Sequence, residues 1–238
     1  MTAPYWLRLA RSGTTFTAQT SVNGTSWTTL GSSNLTGFAS TALWGLAVTA
    51  HNNALANAAT FDNLTLLRSA PVLSPIANQS LIAGQTLTVT NTASDPNAPP
   101  LTLTFSLLTA PNGMILNATN GILTWRPIVA QSPTTNSIIV QVSDNSTPPV
   151  SATQSFVVTV TQPASPTFSV RGYANGIFSM LVNGSTGPDY YLQSATNLNP
   201  PITWLPGQTN LVATPPFTVT DPVTTNFNQK FYRVLLGP

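Results

Sequence analysis

Short runs in which apolar and polar residues alternate recur along the whole chain. Before Pro71 they are "YWLRLARS", "TTFTAQTS", "SWTTL", "LWGLAVTAH" and "ATFDNLTLL". Between Pro71 and Pro163 they are "PVLSPIA", "LTVTN", "LTLTFSL", "MIL", "ILTW", "NSIIVQVS" and "TQSFVVTVT". After Pro166 they are "TFSVR", "GIFSMLV", "DYYLQSA", "ITWL", "FTVTD" and "KFYRVLL". Alternation with a period of two predicts half-buried β-strands, so we expect an all-β protein of antiparallel sheets.

Two proline-containing stretches divide these runs into three segments. They are "LLRSAPVLSPIANQ" and "VTVTQPASPTFSV", and both are typical of short, fairly stiff linkers. We therefore predict tandem β-sandwich domains at residues 1–69, 70–162 and 163–238. Seven short strands in the middle segment suit an immunoglobulin-like sandwich. In the first segment, the Asn-Gly pair of "SVNGTSW" predicts a hairpin between the second and third runs.

Charge and composition exclude several kinds of protein. Only 5% of residues are charged, there is no Glu, and the net charge is +2. A shortage of Glu and Lys disfavours helices, and the scattered arginines lack the clustering of a nucleic-acid footprint. Without Cys there is no disulfide framework and no thiolate site. The apolar runs fall short of the ~20 residues that a membrane helix needs, so no membrane span is expected.

The middle segment carries the most specific sequence pattern. It runs from "ASDPN" through "LTLTFSLLTAPNGMILNATNGILTWRP" to "VSDN" and "SFVVTV". Residues 71–161 resemble the immunoglobulin-like modules related to the cadherin-like domain of dystroglycan. Residues 4–67, with "WLRLARSGTTFTAQTSVNGTSWTTLG", look like the C-terminal half of a concanavalin-like jelly roll. Residues 167–235, with "YYLQSATNL" and "KFYRV", are similar to a terminal module of large secreted bacterial proteins.

These resemblances imply a longer protein that is exported to the bacterial cell surface or medium. We expect the chain to be its C-terminal piece, with Met1 falling inside a domain. No basic and apolar leader opens the chain at "MTAPYWLRLARS", so the export signal is expected to lie outside it.

Catalytic side chains are scarce. His51 is the single histidine, and the five aspartates are spread along the chain, mostly beside turns. A nucleophilic triad needs a base held by an acid, and a glycosidase needs two carboxylates across a cleft. We therefore expect a protein that is not an enzyme and that needs no cofactor. We favour a structural or loop-ordering role for His51. A second interpretation places His51, Asn52 and Asn53 in a loop that contacts sugar.

Calcium is suggested by the cadherin resemblance. Asp95 and Asn97 of "ASDPN" match the cadherin motif "A.D.D", although the second acid is Asn here. The linker "VTVTQPASP" has none of the acids of the cadherin linker motif. Since Ca²⁺ takes about six to eight oxygen ligands, we expect at most a weak site and favour a turn role for Asp95.

Aromatic residues are the remaining candidates for ligand contact. Trp27 and Trp204 each follow a turn, in "S.NG.SW" and "S.TNL…W", which indicates hairpin packing. Of Tyr190 and Tyr191, alternation places one ring inside and one outside. Gly121 is suited to the turn before "ILTW", and alternation places Leu123 and Trp125 on one face. Trp125 could stack on a ligand there, but the resemblance, whose modules share "G.LTW.P", implies that Trp125 is mostly buried over the sandwich core.

Two functional classes remain after these exclusions. The first is a non-catalytic surface, adhesion or spacer module, whose partners are other modules of the same longer protein or a cell-surface protein. The alternative is a carbohydrate-binding accessory region of a secreted hydrolase, whose partner is a polysaccharide. A row of exposed aromatic rings on the first or third segment would favour the alternative.

Overall fold

The computed structural model describes residues 5–37, 45–49, 54, 56, 58–97, 100–211, 213–222 and 229–237. Their regular structure consists of β-strands and one short 3₁₀ turn at Val129–Gln131, which confirms the all-β class. Internal contacts divide the chain into two compact units, Met1–Leu67 and Arg68–Pro238. None of the described residues forms a helix long and apolar enough to cross a membrane.

The described residues of the first unit form one antiparallel sheet. Its strands, in the spatial order β1-β2-β3, are β1 (Trp6–Ser12), β2 (Thr15–Ser21) and β3 (Thr28–Asn34). The predicted hairpin between β2 and β3 is confirmed, although its loop is longer than an Asn-Gly pair. The Asn23 Oδ1 atom accepts the backbone N–H groups of Thr25 and Ser26, both at 2.9 Å. The Asn23 side chain thus accepts hydrogen bonds that a backbone carbonyl would accept in an ordinary turn, and it stabilises the loop.

Two strand predictions in the first unit are wrong. The described parts of "LWGLAVTAH" and "ATFDNLTLL", residues 45–49 and 59–67, contain no strand. Alternation marks an apolar face, but a strand also needs a neighbouring strand to receive its N–H and C=O groups. Apolar side chains of both segments are exposed, including Leu46 and Leu64, which are 50% and 64% exposed. The predicted jelly-roll arrangement therefore stays a prediction.

The second unit begins with a sandwich that spans residues 72–161. Its strands are β4 (Val72–Leu73), β5 (Gln79–Ile82), β6 (Leu87–Thr90), β7 (Ala93–Ser94), β8 (Leu103–Thr109), β9 (Ile115–Leu116), β10 (Ile122–Trp125), β11 (Thr134–Asp144) and β12 (Ser151–Thr161). Sheets β6-β10-β9 and β5-β12-β11-β8 face each other, and β4 pairs with β7. The sequence pattern missed β5 and β7, and β5 runs parallel to β12, against the antiparallel expectation.

The core of this first sandwich lies between its two larger sheets. Leu123 and Trp125 of β10 are 0% and 2% exposed, which confirms the burial predicted for them. From the opposite sheet, the core receives alternate residues of β8, β11 and β12: Phe105, Ile138, Val140, Val142, Phe156, Val158 and Val160. The Trp125 indole N–H donates to the Asn112 carbonyl at 3.1 Å, so its polar atom is satisfied.

A second sandwich spans residues 167–237. Its strands are β13 (Thr167–Ala174), β14 (Ile177–Asn183), β15 (Asp189–Ala195), β16 (Leu205–Asn210), β17 (Phe217–Pro222) and β18 (Phe231–Gly237). Sheets β13-β14-β17 and β16-β15-β18 enclose a separate core. The predicted strand "ITWL" is wrong, because β16 begins only at Leu205 and runs through Pro206. Proline is tolerated there because β16 is an edge strand. The predicted boundary at residues 162 and 163 lies inside the second unit.

Candidate functional site

The loop His51, Asn52 and Asn53 lies outside the described residues. Its predicted contact with sugar therefore stays a prediction.

Asp95 and Asn97 lie in a turn that holds the segment entering the first sandwich. The Asp95 carboxylate accepts the backbone N–H groups of Asn97 at 2.8 Å and Leu101 at 2.6 Å. Asn97 in turn accepts the N–H of Ser69 at 3.0 Å and donates to the Ser69 carbonyl at 2.9 Å. Asp95 therefore closes a local turn, and Asn97 connects that turn to Ser69, which is 28 positions away in the sequence.

Asp144 organises a second turn, between β11 and β12. One of its oxygens, Oδ1, accepts the Ser146 hydroxyl at 2.6 Å and the backbone N–H of Val150 at 2.8 Å. The next residue, Asn145, accepts the N–H of Thr102 at 3.1 Å. Asp144 is 5% exposed, and its Oδ2 atom is buried without a hydrogen bond. The Asp144 carboxylate therefore has a structural role, in which it stabilises the turn between β11 and β12.

The hydrogen bonds lower the pKa of both carboxyl groups. For Asp144 the main cause is the Ser146 hydroxyl, followed by the backbone N–H of Val150. For Asp95, loss of water contact acts in the opposite direction and raises the pKa. The backbone bonds from Asn97 and Leu101 outweigh it, so the pKa lies below its ordinary value.

We expect acid to destabilise the second unit through these two groups. A carboxyl whose folded-state pKa lies below its ordinary value of 3.8 stabilises the fold fully above that pH. The stabilisation is lost as the pH falls below 3.8, through the folded-state pKa. Urea unfolding at a series of pH values should show this acid loss, and Asp95→Asn and Asp144→Asn should each reduce it.

Asp62→Asn provides the matched control, because Asp62 is exposed. It should leave the pH dependence of unfolding unchanged. An acid loss of the same size in all four proteins would contradict a structural role for Asp95 and Asp144.

These residues do not fit a calcium ion. Both oxygens of Asp95 and the oxygen of Asn97 already accept backbone N–H groups. Nor do three Asp or His side chains come together as metal ligands anywhere in the described ranges. The turn therefore falls short of the about six to eight oxygens that Ca²⁺ requires.

Arg8, Gln19 and Trp27 form a cluster of three side chains on the sheet of the first unit. Arg8 of β1 lies directly opposite Gln19 of β2 and donates to its side-chain carbonyl at 2.7 Å. The Arg8 guanidinium also lies 4.3 Å from the centre of the Trp27 ring. Arginine stacked on an aromatic face gains a cation–π attraction, so the cluster fastens the loop before β3 to the sheet.

The same cluster recurs in the second sandwich. Arg233 of β18 lies opposite Gln193 of β15 and donates to its side-chain carbonyl at 2.8 Å. The Arg233 guanidinium lies 4.3 Å from the centre of the Trp204 ring. In both sheets the Gln belongs to the central strand, the Arg to one neighbour, and the Trp precedes the other neighbour.

We expect the Arg233–Trp204 contact to be worth about 0.5–1 kcal/mol, the range of exposed cation–π pairs. A double-mutant cycle with Arg233→Ala and Trp204→Ala, followed by urea unfolding, measures this coupling directly. The pair Arg171 and Trp204 is the control, because Arg171 is exposed on β13 in the other sheet. Coupling no larger than in this control pair would show that the stack contributes nothing.

The two neighbouring tyrosines take different positions. Tyr190 is 2% exposed, and its hydroxyl donates to the Ser185 carbonyl at 2.7 Å; burial raises its pKa. Tyr191 is half-buried, and its ring lies so close to Gly237 that a Cβ added there would come within 1.9 Å of it. The outward ring therefore lies against the backbone of β18.

The two remaining aspartates of the second sandwich also have partners. Asp189 forms an ion pair with Arg126 at 2.7 Å. Asp221 pairs with Lys230 and accepts the Tyr232 hydroxyl at 2.8 Å. Burial, and then the carboxylate of Asp221, raise the pKa of Tyr232 well above its ordinary value.

Sequence reasoning did not find the glutamines and arginines of the two Trp clusters. The signal was present, because Gln precedes both turn motifs, in "QTSVNG" and "QSATNL". The contact of Arg126 with Asp189 had no such local signal.

Comparison with known proteins bears on residues 70–161, which match the model of the family described as "Putative Ig domain". The first sandwich is an Ig-like module. No curated protein sequence matches the chain.

Several solved structures resemble the chain at low identity. Human CDH23 EC21-23 is 17% identical over 67% of this chain and 52% of that chain, with a TM-score of 0.36. The Protocadherin GammaB4 extracellular domain is 16% identical over 72% of this chain and 24% of that chain, with a TM-score of 0.34. The N-terminal eight Ig domains of DSCAM isoform 1.30.30 are 13% identical over 66% and 28%, with a TM-score of 0.32. The chain thus spans about half or less of each structure, and no property of those proteins is carried over at such scores.

Proposed function

We propose that the chain is a non-catalytic, extracellular spacer and surface module of a larger secreted bacterial protein. The observation that carries this proposal is the use of its carboxylates. Every aspartate except the exposed Asp62 is bonded within the fold. Acids that position turns and pair with fixed cations are suited to maintaining a shape, whereas catalysis needs a group that is free to exchange protons with a substrate.

The aromatic residues support the same role. Carbohydrate binding would require a row of exposed rings. Among the described residues, the Trp27 and Trp204 rings are each stacked against an arginine, and Tyr191 lies against Gly237. These three rings fasten loops and strands to their own sheets. Trp6 and Tyr173 are more exposed, at 45% and 64%, but they belong to different units of the chain. We therefore favour the spacer over the carbohydrate-binding alternative.

Composition agrees with a place outside the cell. Exported bacterial proteins commonly have no Cys, and this chain has none. Its 5% of charged residues gives little opportunity for electrostatic capture of a partner. The partners that we propose are the other modules of the same longer protein, with a cell-surface protein as a further partner.

A substrate screen tests the absence of catalysis. The full chain should turn over no polysaccharide, ester or peptide substrate, and no polysaccharide should be retained on it in a pull-down. His51→Ala and Asp62→Asn are the variants to compare, because His51 is the single histidine of the sequence and Asp62 is an exposed aspartate. Turnover that either substitution abolishes would refute the proposal.

A further inference from the structure

Two backbone loops meet where the Ig-like module adjoins the second sandwich. Gly84 follows β5, and Gly187 and Pro188 precede β15. A Cβ atom added to Gly84 would lie 2.5 Å from the Cα of Pro188, and one added to Gly187 would lie 2.6 Å from the Cγ of Gln85. Contacts this short leave no room for a side chain, so the two loops touch backbone to backbone.

Arg126 joins these loops with one side chain. Its Nε donates to the Gly84 carbonyl at 2.7 Å, on the Ig-like module. Its Nη2 donates to the Gly187 carbonyl at 2.9 Å and to the Asp189 carboxylate at 2.7 Å, on the second sandwich. Charge-assisted bonds of this kind are short and directional, so the guanidinium fixes three acceptors at once.

The surroundings keep Arg126 in place. It directly follows β10 and precedes Pro127, which is fully buried and whose carbonyl accepts the Gly84 N–H at 2.8 Å. The Asp189 side chain is only 9% exposed, so little water competes for its charge. Removing Arg126 would take a charged partner from a carboxylate that has little contact with water.

The linker between the two sandwiches, residues 162–166, is also attached. Pro163 is buried, and the backbone N–H of Ala164 donates to the Ser185 hydroxyl at 2.8 Å. A further bond across the junction runs from the Gln85 side chain to the Thr186 carbonyl at 3.3 Å. The loop at residues 184–189 is thus bonded to the linker, to the Gly84 loop and to Arg126.

Relative motion is the usual behaviour of neighbouring domains unless a large apolar interface prevents it. We propose that the Arg126 junction, made of Gly84, Arg126, Gly187, Pro188 and Asp189, holds the Ig-like module and the second sandwich as one stiff unit without a metal ion. The ends of this part of the chain are then kept at a constant separation, which deepens the proposed spacer role and rests on it for its purpose.

Distances between two spin labels test this stiffness. The chain has no native Cys, so Thr104→Cys and Ser169→Cys place labels only on β8 and β13, at exposed positions that are not among the junction residues. Double electron–electron resonance on the full chain should give one narrow distance distribution. The distribution should be identical in excess EDTA and in Ca²⁺, because hydrogen bonds and an ion pair between protein groups hold the junction.

Arg126→Ala should abolish the single narrow distribution, and Asp189→Asn should broaden it. Arg171→Ala, which removes an exposed arginine from the second sandwich, should leave it unchanged. Amide spectra of each variant show whether both sandwiches remain folded, and Asp189→Asn, which conserves shape, decides the result if Arg126→Ala unfolds.

A broad distribution in the unsubstituted chain would overturn the proposal. So would a narrow one that both junction variants retain, or one that only Ca²⁺ makes narrow. A stiff chain that nevertheless turned over a substrate would refute the proposed function and leave the junction standing.

Discussion

Trp125→Ala should cost the Ig-like module about 3–5 kcal/mol of unfolding free energy, the range for buried Trp or Phe truncated to Ala. The ring is 2% exposed among core residues of both sheets, and its N–H is bonded to the Asn112 carbonyl. Since a whole domain has only about 5–15 kcal/mol available, we expect much of the module to unfold. Urea denaturation followed by circular dichroism measures the loss.

Two further variants separate the causes of this loss. Trp125→Phe retains most of the apolar area but loses the indole N–H, so it should cost clearly less than Trp125→Ala. Trp204→Ala removes a half-buried Trp from the second sandwich and should leave the amide spectrum of the Ig-like core unchanged. A Trp125→Ala loss within about 0.5 kcal/mol, as at a surface position, would mean that the ring does not support the core.

Gly121→Ala should give the second large effect, about 2–4 kcal/mol, from the strain of positive φ and from overpacking together. Gly121 has a φ of +70°, and a Cβ there would lie 2.4 Å from the Asn91 carbonyl oxygen. The Gly121 carbonyl also accepts both the backbone and the side-chain N–H of Asn91, at 2.9 and 2.7 Å. The turn therefore cannot move away without breaking buried bonds. Urea unfolding measures the cost.

Gly113 provides a matched control for this effect. Its φ is +84°, but the nearest atoms to an added Cβ are those of Trp125 at 3.9 Å, an ordinary contact. Gly113→Ala should thus cost only the conformational part, about 1–2 kcal/mol. Equal losses for the two variants would show that the close approach to Asn91 is unimportant.

Local patterns predicted much of the fold because they act over a few residues. Alternation in β10 was enough to place Leu123 and Trp125 on one face, and "SVNGTSW" was enough to predict the β2–β3 hairpin. The same reasoning fails where a strand depends on a partner. Residues 59–67 alternate as clearly as β10, yet the structure, over the residues that it describes, contains no strand there.

The sequence pattern could not predict contacts between residues that are far apart in the chain. The parallel pairing of β5 with β12 joins residues almost eighty positions apart, such as Gln79 and Val158. Arg126 and Asp189, which belong to different sandwiches, are 63 positions apart. No periodicity or turn residue encodes such a contact, and an isolated Arg in a strand-rich chain gives no hint of its partner.

Candidate sites were predicted from residue type. Residue type alone does not distinguish a side chain that binds a metal from one that stabilises a turn. Asp95 and Asn97 match a calcium motif in the sequence, but their oxygens accept backbone N–H groups in the structure. Arg8, which stacks on the Trp27 ring, comes from β1. The exposure of that ring therefore could not be predicted from "SVNGTSW".

Thermal unfolding of the full chain in Ca²⁺ and in EDTA tests most directly whether its polar side chains serve the fold. A ligand that binds only the folded state raises the unfolding temperature, and at a concentration 100 times its Kd the stabilisation is about 2.7 kcal/mol. We expect coincident unfolding curves in millimolar Ca²⁺ and in EDTA, for the unsubstituted chain and for Asp95→Asn alike. A clear rise of the unfolding temperature in Ca²⁺ that Asp95→Asn abolishes would contradict the structural role of this turn and the metal-free spacer that rests on it.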